Sequence, residues 1–335
     1  MAQKIQLRRG NSTEWSSVNP ILSQGELGLE LDTLLYKIGD GTTAWNSLAY
    51  QSLSSTFNLL TLNAQSSEPS AANAGTLKIY SKSFGGRILP KIVGPSGLNV
   101  ALQPGFFGNG IQLYAPGSNT TPNVIGGPAL TAVGTVSHPT LAAGNLRLQT
   151  SRFNTISAAT ANSAAELRVA ATRIWRGDTP GQGGFFHRTR FSIVSTVATQ
   201  RSFFGFTSST AATSTTQEPN ALTNMIGVGN GLNQTTLRMY TNDAAGTATE
   251  VNLGASFPAN DPTAVYDLTL FAAPNSTVIN WEVTNLTTNV TSSGSFNTDI
   301  VPTTTFLAYH AYMNNGGTAA AVNFDLMRIY TETDY

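Results

Sequence analysis

The chain lacks cysteine and is poor in charge. Its 335 residues contain no cysteine, and charged residues make up only 11% of them. The absence of cysteine excludes disulfides and thiolate metal sites. Ordinary soluble domains carry about 25% charged residues, so serine, threonine, asparagine, alanine and glycine must cover much of this surface. A neutral surface of this kind suits an extracellular particle, but a β-rich protein with many turns would have the same composition.

A formal net charge of zero argues against a nucleic-acid partner. Proteins that bind DNA or RNA need clustered lysine and arginine to replace the counterions of the phosphates, and the basic groups here, Arg8-Arg9 and His187-Arg188 with Arg190, are sparse. No run approaches the roughly 18 apolar residues of a membrane helix, and the first ten residues lack the apolar region of a signal peptide. We therefore expect a soluble protein made in a cytoplasm, without membrane insertion or a cleaved signal.

Short motifs follow one another within residues 3–50. They are IQLRRG at Ile5–Gly10, Glu14-Trp15, GELG at Gly25–Gly28, and KIGDG followed by AWN at Lys37–Asn46. Together and in this order they resemble the N-terminal module of bacteriophage tail-fibre and adsorption proteins of the major tropism determinant type. In that family three copies of the module interlock into a β-prism that joins the fibre to the particle. The resemblance implies a homotrimer that meets other phage tail or baseplate proteins through this module.

The residues of this module also predict its elements directly. Apolar and polar side chains alternate over Ile5–Leu7 and Leu27–Leu31, which is the pattern of short half-buried strands. A hydroxyl at 12–13 can cap a helical turn that Pro20 ends, and Gly39–Gly41 is a tight turn. Domains below about 40 residues usually need disulfides, metals or partner chains. Without cysteine or a ligand cluster, this unit is expected to need copies of itself.

Eight residues of the module are candidates for trimerisation and virion attachment, because they are its apolar strand residues and its aromatic residues. They are Ile5, Leu7, Trp15, Leu27, Leu29, Tyr36, Ile38 and Trp45. One position departs from the family pattern: relatives often have glycine after the Asp-Thr pair at 32–33, and this chain has Leu34. The type of turn at this point stays open.

Composition divides the chain into three parts. We assign residues 1–51 to the attachment module, 52–139 to a linker and a small β connecting module, and 140–335 to a C-terminal domain. The polar stretch Ser66–Gly75 reads as the linker. Alternating residues around Ile79 and turns at Gly85-Gly86 predict the connecting module, which is similar to a module of phage tail proteins.

Apolar runs separated by turn residues predict an all-β fold, with an antiparallel β-sandwich of the jelly-roll or lectin-like kind at the C-terminus. The runs are Leu167–Trp175, Phe185–Val194, Ser202–Phe206, Met225–Val228, Leu237–Tyr240, Val265–Phe271, Val278–Val283, Thr305–Tyr309 and Val322–Tyr330. Alternation predicts that Phe191, Leu268 and Trp281 point inward. The one helical candidate in this region is Ala158–Glu166, which has good helix formers. The C-terminal region resembles the lectin-like distal domains of phage tail proteins.

A receptor site is predicted at the segment from Tyr309 to Gly317. Aromatic faces stack on sugars and amides hydrogen-bond to them, so the contact candidates are Tyr309, His310, Tyr312, Asn314 and Asn315. The alternative is a strand that ends in an Asn-Gly turn, with its tyrosines packed inside. The loop Thr207–Pro219, rich in serine and threonine, is a second possible contact surface.

Signatures of catalysis and of metal binding are weak. No G-x-S-x-G motif accompanies the three histidines, His138, His187 and His310, although triad members can converge in space without one. The better acidic candidates for a pair of catalytic carboxylates mostly lie in turns, where aspartate usually bonds its own backbone. We expect a protein that is not an enzyme, with no cofactor and no metal site.

The function predicted from sequence is that of a virion structural protein, a tail fibre located on the phage tail. Its C-terminal domain would bind a host surface glycan or protein, and several weak sites would act together. Two alternatives stay open: a capsid decoration or cement protein, and a polysaccharide depolymerase.

Overall fold

The regular secondary structure is nearly all β, and helices account for 6% of the residues that the structure describes. The computed structural model describes residues 7–51, 59–95, 99–101, 110–116, 126–179 and 182–333. The chain divides into two compact units, Met1–Thr61 and Leu62–Tyr335. The all-β fold predicted from the sequence is confirmed.

The first unit contains a small sheet and one helix. Its elements are β1 (Arg8–Gly10), α1 (Ser12–Val18), β2 (Leu27–Glu30) and β3 (Tyr36–Ile38). Strand β1 pairs parallel with β2, and β2 pairs antiparallel with β3 as a hairpin. A short 3₁₀ turn, Trp45–Ser47, follows. The predicted order of strand, helical turn and hairpin is therefore observed.

The helix of this unit starts one residue earlier than the sequence suggested. Asn11 is its N-cap, and the Asn11 N–H donates to Glu14 Oε2 at 2.7 Å, a reciprocal arrangement that satisfies a free backbone donor. The Ser12 hydroxyl donates instead to Asp32 Oδ2 at 2.6 Å. The helix ends at Asn19, which adopts the left-handed conformation at φ 45°, and Pro20 follows as predicted.

The second unit begins with a four-stranded sheet. Its strands are β4 (Ala64–Gln65), β5 (Lys78–Phe84), β6 (Arg87–Val93) and β7 (Asn99–Ala101), paired in that order. Gly85 and Gly86 make the predicted turn between β5 and β6, with φ of 52° and 85°. A Cβ on Gly86 would lie 2.9 Å from Asn280 Cγ, so glycine permits both the turn and the close approach to the sandwich.

The sandwich takes its strands from residue 110 onward. They are β8 (Gly110–Tyr114), β9 (Leu130–Val133), β10 (Thr135–Ser137), β11 (Phe153–Ile156), β12 (Ala164–Val169), β13 (Phe185–Ile193), β14 (Arg201–Thr207), β15 (Met225–Asn230), β16 (Arg238–Asn242), β17 (Thr249–Asn252), β18 (Tyr266–Ala272), β19 (Ile279–Asn285), β20 (Val290–Phe296), β21 (Ala308–Asn314) and β22 (Asn323–Thr333). A short helix, α2 (Leu146–Gln149), and a 3₁₀ turn, Pro219–Ala221, accompany them. The strands β8 to β10 precede residue 140 and belong to the sandwich sheets.

Two antiparallel sheets form the sandwich. One has the order β10-β11-β22-β13-β18-β19-β20, with β8 also paired to β22. The other has the order β17-β16-β15-β14-β21-β12-β9. Consecutive strands often change sheet, as β13 and β14 do, so the loops at each end carry the chain across the core.

The core between the sheets is aromatic. Phe191 of β13 and Phe204 of β14 come from opposite sheets, and their rings stack with centroids 3.9 Å apart. Both are fully buried, as are Leu268 and, nearly so, Trp281. Burial of one such side chain is worth about 1.5–3 kcal/mol. The inward faces predicted from alternation are confirmed in these strands.

The last strand, β22, has a mixed pattern because of a β-bulge. Phe191 pairs with Leu326 and Arg190 pairs with Arg328, so Met327 is an extra residue. A bulge reverses which side chains point inward beyond it, and both Leu326 and Ile329 lie in the core. The apolar residues on two faces of this strand therefore need no neighbouring subunit to explain them.

The predicted helix at 158–166 is wrong. Residues 164–169 form strand β12, and the preceding residues form a turn in which Asn162 has φ 58°. Ala165 and Leu167 face the core and are fully buried. Tertiary burial with a period of two outweighs the modest helix propensity of this segment.

Candidate functional site

The N-terminal unit has a very small core. Trp15 and Trp45 stack with ring centroids 4.1 Å apart, and Leu22 completes the buried cluster. The Trp15 indole N–H donates to the Leu29 carbonyl at 3.0 Å. The two tryptophans thus hold the helix, the hairpin and the 3₁₀ turn together.

Three residues of the GELG and KIGDG motifs pack against this core. A Cβ on Gly28 would lie 2.5 Å from the Trp45 ring, and one on Gly39 would lie 2.2 Å from the Ser23 carbonyl oxygen. The Lys37 ammonium donates to the Trp45 carbonyl at 2.7 Å and lies over the Trp45 ring, a contact between a cation and an aromatic face. Gly28 of GELG and Lys37 and Gly39 of KIGDG are therefore explained by close packing and one buried cation.

The eight attachment candidates divide into three groups. Trp15 and Trp45 are 5% and 0% exposed, so their assignment to a contact surface is corrected: they are the core of the module. Leu7, Tyr36 and Ile38 are exposed, and Leu27 and Leu29 are half-buried. Ile5 lies outside the described residues.

The surface of this unit is rich in large apolar side chains, which we call the module's apolar surface. Its exposed members within residues 7–51 are Leu7, Val18, Ile21, Leu31, Leu34, Leu35, Tyr36, Ile38 and Tyr50. By contrast, the buried core among the described residues of this unit consists of Trp15, Leu22 and Trp45. This module has more large apolar side chains on its surface than in its core. Such a surface is typical of a protein interface and not of a monomer.

Leu34 is the most exposed of these side chains and has a strained backbone. It is 76% exposed and has φ 58°, a left-handed conformation that costs an L-residue about 1–2 kcal/mol. Glycine, frequent here in the family that the motifs resemble, would avoid this strain. Within this unit the leucine side chain gains no burial that would offset it.

The predicted receptor segment is buried. Tyr309, His310, Tyr312, Asn314 and Asn315 are all 2% exposed or less, because β21 lies between β14 and β12 in the middle of its sheet. The assignment of these five side chains to receptor contact is corrected. The segment is instead a strand that ends in an Asn-Gly turn, and its tyrosines are packed inside.

A loop covers the outer face of this strand. We call residues 208–218 the strap. Its Gln217 carbonyl accepts hydrogen bonds from Asn314 Nδ2 at 3.0 Å and from Tyr312 Oη at 3.4 Å, and Thr213 donates through its N–H and its hydroxyl to Glu166 Oε2, both at 3.0 Å. The strap falls within the loop predicted as a second contact surface. Most of its residues are exposed on the outside, and its contact with a receptor stays a prediction.

Buried carboxylates of the sandwich are paired with cations. Glu166 lies 2.7 Å from Arg168 Nη1 and 3.0 Å from His310 Nε2. Burial acts to raise the pKa of Glu166, but the neighbouring His310 and the hydrogen bonds from Thr213 outweigh it, so the pKa lies below its ordinary value. A carboxylate held ionised in this way stabilises structure and is a poor general acid.

The described residues contain no group of three metal-ligating side chains, and none of their helices is long and apolar enough to cross a membrane.

A buried histidine makes the fold sensitive to acid. His187 is fully buried between the sheets, its Nδ1 lies 2.8 Å from Thr331 Oγ1, and burial lowers its pKa from 6.5 to about 3. The unfolded chain binds a proton below about pH 6.5 that the folded chain excludes, so stability present above that pH is lost as pH falls, by about 1.4 kcal/mol per unit. Denaturant titrations should show this loss between about pH 6.5 and pH 4.5, and not in His187→Gln. Equal slopes for the two proteins would contradict the assignment.

The two ends of the sandwich differ, because the chain enters the sandwich at one end through β8 and the other end consists of loops. Strand β8 begins and β22 stops at the end where Phe185 starts β13. The hairpin of the connecting sheet docks near the same end, with Arg87 paired to Glu332 at 2.8 Å and 3.0 Å. The opposite end, which we call the far end, is formed by the loops 157–163, 194–200, 231–237, 253–265, 286–289 and 315–322.

The far-end loops are the polar surface that the sequence analysis missed. They carry only one charged residue, Asp261. Most of residues 157–163 were assigned to the helix candidate and Asn315 to the receptor segment, and the other loops were interpreted as turns between strands. The available signal was their composition, since threonine, asparagine and glutamine recur in several of them without charge. Only the fold shows that they lie together.

Comparison with known proteins identifies the N-terminal module. Residues 5–43 match the family described as the major tropism determinant N-terminal domain. Among curated proteins no sequence matches the chain.

Several solved structures are similar to the sandwich. A protein of unknown function from Shewanella oneidensis is 10% identical with a TM-score of 0.44, over 69% of this chain and 89% of that chain. Peanut lectin is 12% identical with a TM-score of 0.44, over 67% and 97%. The acidic lectin of winged bean, complexed with methyl-α-D-galactose, is 10% identical with a TM-score of 0.43, over 68% and 100%. These scores are low, so the assignment of the sandwich rests on its two sheets and their shared core.

Three observations lead to the same assignment of the N-terminal module. They are the sequence motifs, the small tryptophan core and the match to the family. Residues 5–43 match the family of major tropism determinant N-terminal domains, as the resemblance of the sequence motifs predicts.

Proposed function

We propose that the chain is a phage tail fibre that adsorbs to the host surface, and that it is not an enzyme. The observation that carries the proposal is a tropism-determinant module with a largely apolar surface, joined in one chain to a β-sandwich. The module attaches the protein to the tail or baseplate. The sandwich binds a glycan or protein of the host.

The assembly we propose is a homotrimer formed through the module's apolar surface. Three copies that share this surface would bury side chains such as Leu34, Tyr36 and Ile38, each of which is more than one third exposed in the single chain. The strain at Leu34 supports this, because a leucine there is favourable only if its side chain gains burial elsewhere. A trimer also explains how a unit with three buried core residues remains folded.

Adhesion in this proposal is multivalent. Three weak sites on one fibre, and several fibres on one particle, raise the effective concentration so that contacts of millimolar affinity hold the particle firmly. The weakly charged surface fits this role, because it avoids unspecific attraction to charged cell surfaces.

The state of the buried acids supports a role without catalysis. Asp267 and Asp325 are 2% and 0% exposed, and arginines pair with both. A glycosidase needs one carboxyl group whose pKa is raised, opposite a second one across the substrate. These acids instead have positive partners and stabilise the sheets.

Location on the particle separates the tail fibre from a capsid cement protein. Gold-labelled antibody against the sandwich should mark the tail in electron micrographs of intact phage. An antibody against a major head protein is the control for access. Label on the head would refute the tail-fibre proposal and favour the cement alternative.

A further inference from the structure

We propose that a cleft at the far end of the sandwich binds one ring of a neutral saccharide. The proposal rests on the adsorption function above and specifies where and what the sandwich recognises. It concerns loops at the end of the sandwich opposite the docked hairpin of the connecting sheet.

Three far-end loops line the cleft. Its residues are Thr196, Val197, Ala198, Gln200, Asn233, Gln234, Thr235 and Asn260, around a volume of roughly 220 Å³. Sites for drug-sized ligands usually measure about 300–1,000 Å³. This cleft therefore suits a single sugar ring, whose neighbours in the glycan would extend into solvent.

Buried amides fix the walls of the cleft. Gln200 is 3% exposed; its Oε1 accepts from Ser195 Oγ at 2.8 Å, and its Nε2 donates to the Ala259 carbonyl at 2.8 Å. Asn230 is 1% exposed, and its Nδ2 donates to the Gln200 carbonyl at 2.9 Å. These bonds tie the loops to one another before any ligand arrives, which reduces the ordering cost of binding.

Several polar groups on the inside of the cleft have no partner within the described chain. Gln234 uses its Oε1 to accept from the Gly231 N–H at 2.7 Å and from Tyr240 Oη at 2.6 Å, which leaves its Nε2 free to donate. The side chains of Asn233, Asn260 and Thr196 make no hydrogen bond in the structure and are exposed. Amides and hydroxyls both donate and accept, as sugar hydroxyls do.

The charge of the surroundings points to a neutral ring. Asp261 is the charged residue of these loops, and its Oδ1 accepts from the N–H and the hydroxyl of Thr263. Arg201 and Glu218, beside the loop 231–237, form an ion pair with each other. No free cation therefore faces the cleft from the described residues to hold the carboxylate of a uronic acid or a phosphate. Val197 and Ala198 supply the apolar contact for the C–H face of a ring.

Two substitutions remove cleft groups without disturbing the walls. Asn233→Gly deletes an exposed amide at a position with φ 59°, where glycine fits without strain. Gln234→Glu keeps the Oε1 acceptor for the Gly231 N–H and replaces the free donor with an oxygen. Asn289→Gly is the matched control, because Asn289 also lies at the far end with φ 57° and an exposed side chain.

The test measures binding of single sugars by saturation-transfer NMR to the intact protein. The probes are a set of neutral hexoses and N-acetylhexosamines, with glucuronic acid as the charged arm. At least one neutral sugar should bind, Asn233→Gly and Gln234→Glu should each weaken it about tenfold through lost hydrogen bonds, and Asn289→Gly should bind as the wild type does. Binding of no neutral sugar, preference for glucuronic acid, or equal binding by all variants would overturn the proposal.

Binding to whole host cells distinguishes failure of the cleft from failure of the function. If labelled wild-type protein and both cleft variants bind host cells equally, the cleft is not the receptor site and the adsorption function stands. If the wild type binds no host cells, the adsorption function itself fails.

Discussion

Asp267→Asn is expected to lower the free energy of unfolding by about 3–5 kcal/mol, the cost of removing one partner from a buried ion pair. Arg190 reaches Asp267 through Nε and Nη2, both at 2.8 Å, and Arg188 reaches it through Nη2 at 2.7 Å. Burial acts to raise the pKa of Asp267, and these two arginines outweigh it, so the pKa lies below its ordinary value.

The surroundings make this carboxylate harder to replace. Arg328 lies directly across from Arg190 on the neighbouring strand, and its own pKa is lowered by burial and then by the charge of Arg190. Like charges opposite each other destabilise a sheet. Without Asp267, three arginines would share one face of the sheet with no anion between them.

A second ion pair supplies the control. Glu250 pairs with Arg238 at 2.8 Å on the partly exposed edge of the other sheet, and exposed pairs of this kind contribute about 0.2–1 kcal/mol. Urea denaturation of Asp267→Asn and Glu250→Gln should therefore give clearly different losses. A loss in Asp267→Asn no larger than that in Glu250→Gln would show that the arginine face does not depend on the carboxylate.

Ile38→Asp is expected to convert the proposed trimer to monomers. Ile38 is 38% exposed on β3, on the same side as Tyr36. In the wild type, a trimer through this surface would bury three isoleucine side chains, which is stabilising. In the variant it would bury three aspartates, each at a cost of several kcal/mol. Multi-angle light scattering should give the mass of three chains for the wild type and of one chain for the variant.

The control for this experiment is Ser17→Asp, which adds the same charge to the exposed side of α1. It should remain trimeric. Tryptophan fluorescence of both variants should stay that of the buried Trp15–Trp45 stack, which shows that the module is folded. A wild-type protein that is monomeric at working concentration would refute the trimer directly.

Local patterns predicted the strands well wherever one face of a strand meets the core and the other meets solvent or polar neighbours. In β19, Ile279, Trp281 and Val283 are buried and alternate with half-buried polar residues, so a period of two is visible in the sequence. The bulge at Met327 was not predictable in the same way. One extra residue leaves no signature beyond a pattern that stops alternating.

The receptor site was harder to predict because burial depends on distant segments. Tyr312 and Asn314 have the composition of a sugar site, but neighbouring strands and the strap, about a hundred residues earlier in the chain, make them internal. The cleft has the opposite character. Thr196, Gln234 and Asn260 are ordinary turn residues in sequence, and the crossing of β13 and β14 between sheets brings their loops together.

The N-terminal motifs also changed meaning in the structure. Trp15 and Trp45 lie inside, and glycines such as Gly28 are required by packing. The module's apolar surface includes Leu34, which lies outside the motifs, and Ile38, a motif residue that is exposed. A motif can identify a module by its interior while the surface that binds partners remains partly unmarked.

The central claim is adsorption, and competition with the phage tests it most directly. Host cells are incubated with purified protein, phage is added, and unadsorbed particles are counted against a control of cells incubated with albumin. The account predicts that adsorption falls with increasing protein until the receptors are occupied. Unchanged adsorption at a protein concentration that saturates the cell surface, or no binding of the protein to cells at any concentration, would contradict it.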